Sequence, residues 1–220
     1  MTDPPPANSS QHGQRWLCVT PVDRFFCVNL VLFLFMACSV YYHRFLNYMG
    51  QGRVAEFFFY ATVLTGVIAL AWLAFRRIRF PGWLLCLLQV GIIIHFAGGF
   101  VHWDGLRLYD HFFFGLRYDK FVHFFNTIIL AVLVRELMRA SNVRLDALML
   151  LFLLLVVLGL GACCEIIEYV VVRTIPHNGV GDYDNNMQDL IANAAGGLTF
   201  TIGHVVSERL VRGKVVHEPA

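Results

Sequence analysis

The residues of this sequence that could do chemistry are histidines, carboxylates and asparagines at helical spacing, gathered in its second half. Asp119, His123 and Asn126 follow i, i+4, i+7. Glu165 and Glu168 are one turn apart, and Asp189, Asn193 and Gly196 repeat the i, i+4, i+7 pattern. His95 and His102 lie two turns apart, with Gly98 and Gly99 between them. On helices, such spacings place each set on one face.

Imidazoles and carboxylates on facing helices are the donors with which helix bundles hold metals such as Zn, Mn or Mg. The expectation is a divalent metal bound by His95, His102, His123, Glu165, Glu168 and Asp189. Glu165, Glu168 and His123 would be its acid, base or activating groups. Asp119, Asn193 and Asn126 would orient them through hydrogen bonds. A metal so held makes hydroxide available near neutral pH, which suits hydrolysis or group transfer. Two carboxylates one turn apart repel, so Glu165 and Glu168 require a cation, an arginine or a shared proton between them. Two other uses stay open. One is a proton or ion relay for coupled transport; the other is a non-catalytic polar network that locks helix packing.

The elements that position these groups are apolar. Of 220 residues, 58% are hydrophobic and 15% charged, where a soluble domain carries about a quarter charged. Mean hydropathy is +0.62. A net charge of +2 does not suggest a nucleic-acid partner. Crossing a bilayer takes roughly 20 apolar residues in a helix. Six runs approach that: 25–45, 57–75, 82–101, 121–137, 147–172 and 190–206, the last being the weakest because it is short and rich in glycine. The fold expected is therefore all-α, an integral membrane bundle of six transmembrane helices over 23–208. Residues 1–22, with Pro4, Pro5, Pro6, Ser9 and Ser10, read as a disordered tail rather than a signal peptide, and 209–220 as a second tail. No internal repeat stands out.

Lys and Arg placement orients the bundle. With the N-terminus inside, the inner flanks hold Arg15, Arg24, Arg76, Arg77, Arg79, Arg135, Arg139, Arg144, Arg209, Arg212 and Lys214. The outer flanks hold only Arg44, Arg53, Arg107, Arg117, Lys120 and Arg173. Both termini are then cytoplasmic, and the polar groups gather at the outer ends of the last four helices, over nearly apolar inner halves. The first two helices read as apolar scaffold. Membrane lipid, and a lipid-linked or phosphorylated headgroup as substrate, are the partners this placement suggests. The six cysteines read as small buried apolar residues, the glycine pairs as close helix contacts, and Trp16, Trp72, Trp83 and Trp103 as an aromatic belt.

Five segments carry a family resemblance: HFAGGFVHWD from His95, RYDKFVHFF from Arg117, VRE from Val134, CEIIEY from Cys164 and DYDNNMQDLIANAAGG from Asp182. In them the chain resembles the YjdF-like family of uncharacterised bacterial inner-membrane proteins and, more distantly, the VanZ-like pattern of an Asp-Lys-x-x-His-Phe opening, a Glu-rich helix and a closing Asp before Asn and Gly. The resemblance implies a multi-pass protein of the cell inner membrane and, through the link of VanZ-like members to glycopeptide resistance, a place in the cell envelope. It implies no catalytic mechanism. The VanZ-like pattern has Gln near the second acidic position and Arg before its last Asp, where this chain has Glu168 and a run of Asp and Asn.

Overall fold

The computed structural model describes the backbone of residues 19–39, 46, 49–50, 54–174 and 182–215. Among them are six helices: α1 (Pro21–Ser39), α2 (Val54–Phe75), α3 (Gly82–Phe100), α4 (Tyr118–Ala140), α5 (Ala147–Thr174) and α6 (Tyr183–Val215). Four of the described helices are long and apolar enough to cross a membrane, over Gly82–Phe100, Tyr118–Ala140, Ala147–Val170 and Tyr183–Leu210. The chain divides into two compact units, Met1–Leu85 and Cys86–Ala220.

In the first unit, α1 opens on a reciprocal cap. The Asp23 amide donates to Thr20 Oγ1 at 3.1 Å, and the Thr20 amide donates to Asp23 Oδ2 at 2.8 Å, with Pro21 in the first turn, where its missing N–H costs nothing. The other Asp23 oxygen accepts the Trp72 indole N–H at 2.6 Å, and the Arg76 guanidinium sits over the Trp72 ring. The start of α1 is thus clasped to the end of α2. The expected apolar scaffold carries a polar tie at this end.

In the second unit, α4, α5 and α6 surround a core of Ala131, Val134, Leu153 and Val157, with Phe200 packed on it. The α4–α5 corner is set by local chemistry. Asn142 takes φ +57°, Val143 N–H returns to the Met138 carbonyl and Asn142 N–H to Arg139, the hydrogen-bond pattern that closes a helix C-terminus. Asp146 then caps α5 by accepting the Met149 amide at 2.9 Å, and Asp182 caps α6 by accepting the Asn185 amide at 2.9 Å. Glycines let the helices touch. A methyl group on Gly196 would run into the Phe124 carbonyl of α4, and one on Gly197 would press on Leu154 of α5. Gly196→Leu is therefore expected to lower the thermal midpoint in detergent, at a cost of about 1–3 kcal/mol. A midpoint equal to the parent's would show that α4 and α6 do not cross this closely.

Several expectations are corrected. The last helix is not short: it runs 33 residues, beginning at Tyr183 and passing 209. Its polar first turns stay helical because their side chains are satisfied inside the unit, as described below. α1 begins at Pro21, inside the expected tail, and α5 reaches Thr174. Residues 1–18, 40–45 and 216–220 lie outside the described residues, as do Trp16, Cys18, His43 and His177. The described cysteines Cys27, Cys86, Cys163 and Cys164 are free and exposed, not buried. They share outward faces with Val28, Val90 and Ile167, which are also exposed, so lipid rather than a protein core is what these apolar faces suit.

The segment between α3 and α4 is not a plain loop. It forms two antiparallel hairpins, β1 (His102–Trp103) with β2 (Leu106–Arg107), and β3 (Phe112–Phe113) with β4 (Leu116–Arg117). Each turns through two residues with positive φ: Asp104 at +49° and Gly105 at +79°, then Phe114 at +54° and Gly115 at +81°. Two-residue turns of this kind match the strand twist. The hairpins repeat a sequence, Gly-Leu-Arg at 105–107 and 115–117, each followed by Tyr-Asp at 109–110 and 118–119. This duplication is too short to show as a periodicity; the paired hairpins reveal it. Asp110 gathers both arginines, Arg107 Nε at 2.9 Å and Arg117 Nη2 at 3.0 Å. Tyr109 fills the space over Gly98, so that glycine admits an aromatic ring from the hairpins, not another helix.

Candidate carboxylate site

The site is built where the first turns of α4 and α6 meet the later turns of α5. His123 stands between two carboxylates, with Nδ1 3.3 Å from Glu165 Oε1 and Nε2 3.6 Å from Asp189 Oδ1. Three turns of helical spacing thus converge from three helices on one imidazole. Both ring nitrogens of His123 thus face carboxylate oxygens.

Asp189 is 1% exposed and is neutralised locally. Lys120 Nζ donates to its Oδ1 at 2.7 Å, and Asn185 Nδ2 donates to its Oδ2 at 2.8 Å. Lys120 also donates to the Asn185 side-chain and backbone oxygens, at 2.9 and 3.2 Å, and lies 3.4 Å from Asp119 Oδ2. Arg117 joins this layer, donating to Asn185 Oδ1 at 2.8 Å.

Glu165 is 3% exposed. Asn186 Nδ2 donates to its Oε2 at 3.2 Å, and Asn193 Nδ2 donates to its Oε1 at 3.2 Å. Thr127 of α4 donates in turn to Asn193 Oδ1 at 2.8 Å. Gly161 lies against Asn193: a methyl group there would stand 3.1 Å from its Nδ2.

Glu168 differs. It is half-buried and makes no ion pair or hydrogen bond among the described residues. Yet one oxygen each from Glu165, Glu168 and Asp189 lies within 4.8 Å of the others. Lys120 pairs with Asp189, His123 lies beside Glu165, and Arg117 pairs with Asp110 and Asp119, so Glu168 is the carboxylate of this group without an ion pair among the described residues. Two buried oxygens, Asp119 Oδ1 and Asn186 Oδ1, accept no hydrogen bond among the described residues. Lone pairs of this kind are satisfied by a proton donor or a cation.

The structure brings together Glu165, Glu168, Asp189 and His123, with Asn193 on Glu165 and Asp119 beside Lys120. It gives other surroundings to the remaining residues that spacing had singled out. α3 ends at Phe100, so His102 stands beyond the helix and shares no helical face with His95. The His102 ring faces the Phe100 carbonyl at 2.9 Å, and His95 Nδ1 pairs with the Tyr109 hydroxyl at 2.8 Å. Asn126 lies against Gly91 of α3. Sequence reading missed Lys120, Asn185, Asn186 and Thr127. Signals for three of these were available: Lys120 lies three residues before His123 and so on its face, and Lys120, Asn185 and Asn186 fall within the segments that carry the family resemblance. Glu136, near the far end of α4, is also buried and sits 3.5 Å from Arg135 and 3.8 Å from Arg139, an exception to the expected apolar inner half.

A family model described as a predicted membrane protein (DUF2238) matches residues 24–209, a span that includes the whole cluster. No curated protein and no solved structure gives a significant match.

Proposed function

Since the chain belongs to this family of predicted membrane proteins (DUF2238), we propose that it is a metal-dependent enzyme of the cell inner membrane. In this reading all six helices span, both termini are cytoplasmic, and the cluster faces the extracytoplasmic side. The 19 and 22 residues of α1 and α2 suit that count. The YjdF-like and VanZ-like resemblances agree with a cell-envelope setting.

One observation carries the reading. Glu165, Glu168 and Asp189 offer three oxygens within 4.8 Å of one another, and Glu168 makes no ion pair or hydrogen bond among the described residues. A divalent cation would bind there, held by the three carboxylates. An all-oxygen set favours Mg or Mn over Zn. His123, whose ring lies between Glu165 and Asp189, would hold or give up a proton beside the cation. The chemistry supplied is activation of water or an acceptor hydroxyl against a phosphorylated or lipid-linked headgroup.

An ion-coupled transporter draws less support. The polar chain descending from Glu165 through Asn193 ends at Thr127. Glu136 is nine residues farther along α4, about 14 Å at the helical rise, and Ile129, Ala131 and Val134 between them are buried and apolar.

Elemental analysis and Mn²⁺ calorimetry on the purified protein test the proposal. The expected result is one Mn²⁺ per chain, lost in Glu168→Gln, with headgroup phosphate release that also requires Glu168. A wild-type protein that takes up no Mn²⁺ or Mg²⁺ would eliminate the metal reading, and flux in proteoliposomes abolished by Glu168→Gln would favour transport instead.

A further inference from the structure

We infer that the second hairpin, β3–β4, is a membrane-interface anchor that lies among the lipid headgroups and upper acyl chains. Phe114 occupies its tip and is 99% exposed, while Phe112 at 67% and Leu116 at 54% flank it. Left-handed backbone at such a turn suits glycine or asparagine, yet the position carries a phenylalanine that touches almost nothing in the protein. The first hairpin has Asp104 at the equivalent place, so the duplicated pair contains its own comparison: one polar tip and one apolar tip on the same scaffold.

Connectivity determines what this apolar tip can reach. The hairpins begin two residues after α3 and end directly at α4, and both helices qualify as membrane spans. With two-residue strands, neither tip can rise far from the helix ends, which lie at the bilayer surface. The arginines of the two hairpins, Arg107 and Arg117, are both paired with Asp110. Trp103, 55% exposed and 6.4 Å from Phe113, adds the residue type that prefers the headgroup level. An exposed Phe, Phe, Leu and Trp set, anchored at the edge of a span, fits lipid. The inference does not depend on the metal reading.

The test uses the full chain in phosphatidylethanolamine–phosphatidylglycerol vesicles, with photoreactive benzoylphenylalanine in place of Phe114 or, as the comparison, of Asp104. Lipid adducts read by mass spectrometry are expected to be several-fold more abundant from position 114. Equal yields, or adducts to a second copy or another protein, would overturn the anchor. A second measurement removes dependence on the probe. Tryptophan quenching by lipids brominated near the headgroup is expected to fall in Trp103→Phe, and unchanged quenching would count against the inference.

Discussion

Replacing Lys120 by Met is expected to destabilise the protein by about 3–5 kcal/mol, the range for stranding one partner of a buried ion pair. Lys120 is 5% exposed and its ammonium touches four oxygens, on Asp119, Asn185 and Asp189. Methionine keeps the apolar stem and removes only the charge and its donors. Asp189, 1% exposed, would then retain only Asn185 and His123 as partners among the described residues. The sign can be checked with a second substitution. Lys120→Met combined with Asp189→Asn removes both charges, so it should cost less than the sum of the two single changes. Reversible unfolding in mixed micelles measures all three proteins. Strict additivity would mean that the pair is not coupled and that Lys120 points to water.

Glu165→Leu is expected to cost about 2–4 kcal/mol, the lower part of the range for two stranded buried donors; interhelical hydrogen bonds in membranes are weaker than those in water-soluble cores. The carboxylate is the shared acceptor for Asn186 and Asn193 and the counter-charge for His123. Leucine fills the space, so the loss is polar rather than a cavity. Glu165→Gln tells the two roles apart. Its amide oxygen can accept one of the asparagine donors, so stability should be largely restored. Its missing charge should still abolish Mn²⁺ uptake. A Glu165→Gln protein that binds Mn²⁺ as the parent does would remove Glu165 from the metal site while leaving its structural role intact.

These two expectations separate kinds of information. The sequence by itself determined the class of protein and the grouping of residues. Apolar runs of bilayer length follow from composition, because a polar backbone in lipid must satisfy itself in helices. Helical spacing put His123, Glu165, Glu168 and Asp189 on defined faces, since 3.6 residues per turn is a local property. Family membership needs no more than the order of residues. Pairing across helices was decided only by the tertiary structure. Lys120 looked like a flank charge because a lysine's solvation depends on what faces it, and its partners Asn185 and Asp189 are more than sixty residues away. α6 looked short because Asn185, Asn186 and Asp189 are polar. They stay helical because α4 and α5 supply their hydrogen-bond partners. His102 looked aligned with His95 until the helix ended at Phe100. A spacing argument holds only while the helix continues, and the hairpin turns that end this one are a matter of backbone geometry.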